Sequence, residues 1–234
     1  MPISTNSVFH FTENLNTVKS ILITHFQIKY CLETIETKKS KIDYAVPMSS
    51  FCDIPLSQVI SHIDKYGGYG IGLHKRWAKR KGLNPVLYLE KNSNILNDVL
   101  IREKIENNSR LIQEFLRYTK NYEGKLVRGD ETIQKSYRYF DEREWRFCPN
   151  QKQISENEMI IHDTRYYKEN KSRINERVGN IKLAFTTNDL SYLIVKDDDD
   201  IIELINFLEQ SFNSKEVKML TSKILTSKQI RSDF

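Results

Sequence analysis

Apolar residues recur along this chain in two spacings, which predict a mixture of strands and helices. Alternation with period two is typical of half-buried strands, whereas spacings of three and four residues are typical of amphipathic helices. We expect strands near residues 8–12, 47–52, 70–73, 85–89, 142–148 and 190–195, with a last strand at 215–220. We expect helices at residues 15–24, 56–62, 74–81, 94–122 and 201–212. The pattern therefore predicts an α+β fold around a central mixed sheet that is bent or split.

One predicted strand, residues 139–147, combines aromatic rings with a row of charges. Its alternation places Trp145 on a face that we expect to be buried in the core. Glu142, Glu144 and Arg146 then lie on the opposite face. If that face meets water, the row is a surface ion pair worth well under about 1 kcal/mol. If it meets a pocket, two carboxylates beside an arginine form a candidate catalytic group.

Composition narrows the class of protein. The 234 residues contain no Gly/Pro/Ser-rich linker, so we expect a single domain over residues 1–234. A net charge of +5 is too small to indicate a nucleic-acid partner by itself. Three scattered cysteines match neither a disulfide framework nor metal-ligand spacing, which favours a reducing compartment and no metal. With no apolar run of about 20 residues and no signal peptide, we expect a cytoplasmic protein without membrane contact.

Three further segments carry candidate binding residues, each with a simpler structural interpretation. His10 alternates with two phenylalanines, and it is either a ligand contact or a half-buried histidine bonded to backbone. Ser50 lies in an apolar predicted strand, where a hydroxyl normally bonds to backbone. The segment from Tyr66 through Tyr69 to Leu73 holds four of the chain's 8 glycines. It is either a turn with aromatic packing or the lip of a pocket for a flat ligand.

Two charged segments are better explained by structure than by binding. Residues 74–81 form a short basic helix in which we expect Lys75, Arg76, Lys79 and Arg80 to be exposed. A contact with RNA or phosphate is the alternative for that helix. The acidic run at residues 197–200 could hold a cation, but it directly precedes a predicted helix, so we expect it to cap that helix.

Motifs in five segments resemble the AbiGi family of bacterial abortive phage-infection proteins, whose members are labelled antitoxins. The matching segments, in order along nearly the whole chain, are Phe9–Thr12, Val46–Ser57, Tyr66–Leu73, Asn84–Leu89 and Asp141–Arg146. The resemblance implies a role in phage defence with a cognate toxin or another defence protein as partner. It does not imply a particular reaction.

The order of these motifs also resembles ADP-ribosyltransferase-like domains of the DarT type. That resemblance implies NAD as cofactor, with His10 bonded to its ribose and Ser50 supporting the nucleotide or the glutamate. Tyr66 or Tyr69 would stack on nicotinamide. Glu144, preceded by Glu142, would orient a ribose hydroxyl and stabilise the positive charge that develops as nicotinamide leaves.

Two hypotheses of function therefore stand. In the first, the chain is an NAD-dependent ADP-ribosyltransferase or NAD-cleaving enzyme, and His10, Tyr69 and Glu144 converge in one cleft. In the second, it is a non-catalytic antitoxin or sensor that binds a partner toxin through the same region or through the basic helix.

Overall fold

The computed structural model describes residues 4–98, 110–128, 131–155 and 158–233. Their contacts form two compact units made of interleaved segments. The terminal unit comprises Met1–Gln27, Ser50–Leu83 and Lys182–Phe234. The central unit comprises Ile28–Ser49 and Asn84–Ile181. Both units contain helices and strands, so the α+β class is confirmed, while the single-domain interpretation stays a prediction.

Strands and helices alternate irregularly along the chain. The strands are β1 (Ser7–Thr12), β2 (Phe26–Gln27), β3 (Lys29–Glu36), β4 (Lys41–Cys52), β5 (Tyr69–His74), β6 (Asn84–Pro85), β7 (Leu87–Leu89), β8 (Thr119–Asn121), β9 (Gly124–Arg128), β10 (Glu131–Tyr137), β11 (Glu144–Phe147), β12 (Lys182–Leu183), β13 (Leu190–Val195) and β14 (Ile224–Thr226). The α-helices with both ends among the described residues are Leu15–Thr24, Ile60–Tyr66, Lys75–Arg80, Arg110–Arg117, Thr164–Glu169, Lys171–Glu176, Asp198–Ser211, Ser214–Thr221 and Ser227–Asp233, with 3₁₀ turns at Leu56–Gln58 and Tyr139–Glu142.

The terminal unit is built on a mixed sheet. Strand β13 pairs parallel with β14 and antiparallel with β5, which in turn pairs antiparallel with β1. The last residues of β4 complete the sheet, where Cys52 lies opposite Phe9. The mixed character predicted for the sheet is therefore confirmed. Strands β2 and β12 form a separate antiparallel pair.

Glycines in and before β5 allow close packing against β1. A side chain at Gly72 would lie 2.9 Å from the ring of Phe9, and one at Gly70 would lie 3.0 Å from the ring of Phe11. Gly67 has a φ of 112°, and a Cβ there would lie 2.2 Å from the carbonyl oxygen of Thr12. This close packing supports the first interpretation of the segment, a turn with aromatic packing, and its role as the lip of a pocket stays a prediction.

The core of the terminal unit lies between this sheet and its helices. Helix Leu15–Thr24 begins at Asn14, whose side chain accepts a hydrogen bond from the Thr17 N–H. Trp77 is fully buried, and its indole N–H donates to the Ala184 carbonyl at 3.1 Å. A cluster of buried residues fills the rest: Phe9, Phe11, Cys52, Ile54, Val59, Ile63, Ile194 and Ile230.

The central unit is built on short strand pairs around its own core. Strands β3 and β4 form an antiparallel hairpin in which Lys29 lies opposite Met48 at one end and Glu36 lies opposite Lys41 at the other. Strands β6 and β11 pair antiparallel, β7 and β8 pair parallel, and β9 and β10 form a second hairpin. The buried core residues are Ile35, Tyr44, Val46, Met48, Leu96, Ile112, Leu116, Cys148 and Ile160.

The charged stretch, residues 139–147, corrects the sequence analysis. It begins as a 3₁₀ turn, and Arg143 then adopts φ 43° before β11 starts at Glu144. Within β11, Glu144 and Arg146 are buried and Trp145 is half-buried. The prediction that Trp145 is core and Glu144 is not was wrong, because the faces are reversed. The charged side chains can occupy the interior because they bind one another.

Several element boundaries also differ from expectation. Residues 94–98 and 110–117 are helical, as predicted, but residues 119–121 form β8, and residues 99–109 lie outside the described residues. Residues 214–221 are a helix rather than a strand, started by a capping box between Asn213 and Glu216. The predicted strand at 85–89 is two strands, β6 and β7, with different partners. No helix in the described ranges is long and apolar enough to cross a membrane.

Candidate functional site

A cluster of five charged side chains lies in the central unit, three of them buried and two partly buried. The charge cluster consists of Glu33 on β3, Lys120 on β8, Glu142 at the end of the 3₁₀ turn, and Glu144 and Arg146 on β11. Arg146 is 0% exposed, and Glu142 and Glu144 are 4% and 7% exposed. Charges are rarely buried this far unless they are paired, so their partners decide what the cluster can do.

Arg146 binds two of the carboxylates. Its Nε lies 2.7 Å from Oε1 of Glu144, and its Nη2 lies 3.1 Å from Oε2 of the same carboxylate. Nη2 also lies 3.0 Å from Oε1 of Glu33, and Nη1 donates to the Arg117 carbonyl at 3.0 Å. Glu144 is therefore held in two-point contact by its neighbour on the same face of the strand.

Lys120 joins the two glutamates that the sequence analysis singled out. Its Nζ lies 3.0 Å from Oε2 of Glu142 and 3.1 Å from Oε2 of Glu144, and 4.8 Å from the ring centroid of Tyr139. Burial lowers the pKa of Lys120, but the carboxylates of Glu144, Glu33 and Glu142 outweigh burial and hold that pKa well above its usual range. Lys120 is therefore a permanent cation.

Two tyrosines complete the cluster. The Tyr137 hydroxyl donates to Oε1 of Glu142 at 3.2 Å, and the Tyr88 hydroxyl accepts from the Glu144 N–H at 2.9 Å. Burial raises the pKa of Tyr137 and of Tyr88, and the charges of Glu142 and Glu144 respectively raise each pKa further. Both hydroxyls therefore remain protonated at neutral pH.

The charge balance of the cluster is nearly even. With Lys120 and Arg146 protonated and all three glutamates ionised, the cluster carries one net negative charge. Each carboxylate has at least one cation or hydroxyl within 3.2 Å. Such a network holds side chains from three separate chain segments in fixed positions, and it offers a polar site only to a ligand that can replace these contacts.

His10 and Ser50 contact each other in the terminal unit. Nδ1 of His10 lies 2.9 Å from the Ser50 carbonyl oxygen, so that nitrogen carries the proton. The His10 ring packs at 5.3 Å from Phe26 and 5.7 Å from Phe51, and burial lowers its pKa. These contacts match the structural interpretation of His10, a histidine bonded to backbone.

The two candidate tyrosines have separate surroundings in the terminal unit. The Tyr66 ring lies 4.5 Å from that of His62, with the Lys65 ammonium 4.7 Å from its centroid. Burial and a hydrogen bond to Asp200 raise the pKa of Tyr69 to about 12. Asp200 belongs to the acidic run, whose first member, Asp197, caps the following helix as expected.

The predicted site residues are therefore distributed over both units. Glu142 and Glu144 meet at Lys120 in the central unit, and His10 meets Ser50 in the terminal unit. The convergence of His10 and Tyr69 with Glu144 in one cleft stays a prediction. Within the described residues, no group of three His, Cys, Asp or Glu side chains is placed to hold a metal ion.

Most of the basic side chains on helix Lys75–Arg80 are exposed to solvent. Arg76, Lys79 and Arg80 are exposed, as predicted. Lys75 is not, because its Nζ lies 2.7 Å from Oδ2 of Asp53 and its side chain is largely covered. The expectation for Lys75 was wrong, since an ion pair at the start of the helix was not visible in the local pattern.

The sequence did not reveal four residues of the charge cluster and its hydrogen-bond partners. These residues are Glu33, Lys120, Tyr88 and Tyr137. Lys120 fell in a predicted helix, and Glu33 fell in a polar segment without a clear period. The available signal for Lys120 was its position between Thr119 and Asn121, whose side chains are buried on the other face of β8.

Comparisons with known proteins identify relatives of the chain. The family model described as "Putative abortive phage resistance protein AbiGi, antitoxin" matches residues 24–196, a span that contains the whole charge cluster. A relative named abortive phage resistance protein AbiGi, from Lactococcus lactis subsp. cremoris, is 26% identical over 224 residues, covering 82% of this chain and 90% of the relative. No solved structure matches the chain.

Proposed function

We propose an antitoxin function in abortive phage infection for this chain, which belongs to the AbiGi family of abortive phage resistance proteins. In this proposal the protein acts in the bacterial cytoplasm by binding a partner toxin. Infection releases the toxin from that complex, so that the infected cell stops growing before phage can spread.

The observation that carries this proposal is that Glu142 and Glu144 are each bonded to other side chains of the charge cluster. A carboxylate that stabilises an oxocarbenium-like centre must face its substrate. Here Arg146 takes both oxygens of Glu144, and Lys120 and the Tyr137 hydroxyl take those of Glu142. The oxygens of both carboxylates are thus bonded to neighbouring side chains. This arrangement suits a binding protein better than an enzyme that transfers a glycosyl group.

A binding protein needs an exposed surface, and hairpin β9–β10 supplies a candidate. Nearly all of β10 is exposed, and Val127 and Ile133 are 50% and 55% exposed. Among the described residues the hairpin forms a two-stranded sheet of its own, so both of its edges can accept another strand. A two-stranded sheet is marginally stable alone, and a partner strand would stabilise it.

The test removes the chain or alters its exposed hairpin. In cells that carry the complete defence system, we expect deletion of this chain to stop growth without phage, because the toxin is then unopposed. We expect Val127→Asp with Ile133→Asp to have the same effect, and Ile202→Asp, at an exposed apolar position on helix Asp198–Ser211, to be tolerated. Normal growth after deletion would contradict the proposal.

NAD-dependent ADP-ribosyl transfer or NAD cleavage is the second candidate. It is favoured by the meeting of Glu142 and Glu144 at one lysine beside two tyrosine hydroxyls. In that case overexpression of this chain alone would be toxic, purified protein would release nicotinamide from NAD, and Glu144→Gln would abolish both effects. Toxicity on overexpression combined with healthy growth on deletion would select this candidate over the antitoxin.

A further inference from the structure

The basic helix Lys75–Arg80 in the terminal unit presents three cations to solvent, which take no part in the proposed toxin contact. Arg76, Lys79 and Arg80 stand at positions i, i+3 and i+4 of the helix, so their side chains share one face. All three are exposed, whereas Trp77 is fully buried in the core. The packing of Trp77 therefore fixes which face of the helix meets solvent, and that face is cationic.

Few carboxylates offset these charges. Residues 65–89 contain six basic residues and no Asp or Glu. Among the described residues, Arg76 and Lys79 form no ion pair, while Arg80 forms one, with Asp189. An anionic partner can therefore bind Arg76 and Lys79 without breaking an ion pair within the described part of the protein.

Arg80 differs from its neighbours because a buried carboxylate holds it in place. Its Nη2 lies 2.7 Å from Oδ1 of Asp189, yet its side chain stays 57% exposed. Oδ2 of Asp189 accepts hydrogen bonds from the N–H and the hydroxyl of Thr186, both at 2.9 Å. The Asp189 carbonyl accepts from the N–H of His74, the residue before the helix, at 2.8 Å. The Arg80 guanidinium is therefore fixed at the surface, and its Nε and Nη1, which have no partner among the described residues, can donate to an anion.

The position of the cations on a helix indicates the kind of anion. Double-stranded DNA carries one negative charge per about 1.7 Å of its axis, so several phosphates lie within reach of such a face. The helix offers no ring for the bases of a single strand to stack on, because its one aromatic residue, Trp77, is buried. The major groove of B-form DNA, about 12 Å wide, admits an α-helix, whereas the major groove of A-form RNA is deep and narrow. These features favour double-stranded DNA.

We infer that helix Lys75–Arg80 binds the phosphate backbone of double-stranded DNA through Arg76, Lys79 and Arg80. Arg80, held by Asp189, donates from its planar guanidinium to one phosphate, and Arg76 and Lys79 contact neighbouring phosphates. Phosphate contacts carry no sequence information, so these three contacts do not discriminate between sequences. The inference goes beyond the antitoxin function and does not depend on it, because hairpin β9–β10, the proposed toxin surface, belongs to the other unit.

Fluorescence anisotropy of a labelled DNA duplex, titrated with the purified full-length protein, tests this inference. Three phosphate contacts give a slope of about −2.7 for log affinity against log salt concentration, so we expect affinity to fall about 40-fold between about 50 and 200 mM salt. An RNA duplex and a single DNA strand of the same sequence should bind more weakly. Absence of DNA binding at the lowest salt concentration would overturn the inference and leave the helix as a solvated face. Binding of the RNA duplex or of the single strand at least as tight as that of the DNA duplex would overturn the choice of partner.

A double variant and a matched control locate the contact. Arg76→Gln with Lys79→Gln leaves the ion pair of Arg80 intact, and it should reduce the salt slope from about −2.7 to about −0.9. The control, Arg165→Gln with Lys168→Gln, removes the same two charges from exposed positions of the central unit and should keep the slope. Equal losses of affinity in the two double variants would show that binding follows net charge, and would overturn the assignment to this helix.

Arg80→Lys tests the fixed guanidinium. A lysine keeps the charge and can still pair with Asp189, but it lacks the planar fork of donors. We expect the affinity for the DNA duplex to fall several-fold while the salt slope stays the same. Unchanged affinity would contradict the contact assigned to Arg80.

Discussion

Replacing Arg146 with methionine tests whether the charge cluster holds the central unit together. The change removes a fully buried cation while keeping an unbranched side chain of similar length. Glu144 then loses both N–H donors of the guanidinium, Glu33 loses its contact at 3.0 Å, and the Arg117 carbonyl loses its donor. The net charge of the cluster changes from one negative to two, with Lys120 the remaining cation.

The expected loss follows from these unpaired groups. Removing one partner of a buried ion pair costs about 3–5 kcal/mol, because it leaves an uncompensated charge. Two carboxylates and a carbonyl are affected here, so we expect the upper half of that range. For a chain of this size, a loss of about 4–5 kcal/mol lowers the midpoint of thermal unfolding by roughly 8–20 °C.

Urea denaturation followed by circular dichroism measures the loss, with Arg165→Met as the control. Arg165 pairs with Glu169 on the surface and its side chain is 90% exposed, so we expect less than about 0.5 kcal/mol there. The double variant Glu144→Met with Arg146→Met restores one net negative charge, and it should be more stable than Arg146→Met alone. If Arg146→Met is no less stable than Arg165→Met, the cluster does not stabilise the fold and the reasoning is refuted.

Three further predictions concern single side chains. Trp77→Ala should cost about 3–5 kcal/mol because the ring is fully buried, whereas Trp145→Ala should cost clearly less; equal losses in urea denaturation would count against the assigned burial. Stability should fall as pH drops below about 6.5, because burial lowers the pKa of folded His10 while the unfolded chain takes up a proton there. His10→Asn, which can still donate to the Ser50 carbonyl, should reduce that slope in thermal unfolding measured from pH 7.5 to 5, and an unchanged slope would assign it to other groups. Tyr137→Phe should cost about 1.5 kcal/mol through its lost bond to Glu142, and more than Tyr139→Phe, whose hydroxyl donates to an exposed backbone carbonyl.

Local patterns predicted the elements whose stability is decided locally. Helix Leu15–Thr24 and strand β13 occur at the predicted residues, because their apolar spacing and flanking residues agree with the packing they adopt. Residues 215–220 were assigned to the wrong class. Their apolar positions fit either period over so short a span, and the capping box at Asn213 decides for the helix.

The candidate site was only half predictable, because its partners come from distant segments. Alternation grouped Glu144 with Arg146 but could not say which face of the strand is buried, since a face of charges normally meets water. The burial of that face depends on Lys120 from β8 and Glu33 from β3, about 24 and 110 residues away along the chain, and no local rule connects them. Arg143, with its positive φ, also separates Glu142 from the strand, so the three charges do not form one continuous row.

This arrangement changes how a substitution at either glutamate should be interpreted. Glu142 and Glu144 are the residues that an enzyme hypothesis would mutate first, yet each is bonded to groups that also position β8 and β11. Loss of phage protection in Glu144→Gln would therefore follow from weakened folding as readily as from lost chemistry. Measuring the stability of that variant beside its activity separates the two, because catalytic carboxylates are often held at a cost and their removal leaves stability unchanged or raised. A destabilised Glu144→Gln that regains protection at lower temperature would show that this carboxylate stabilises the fold.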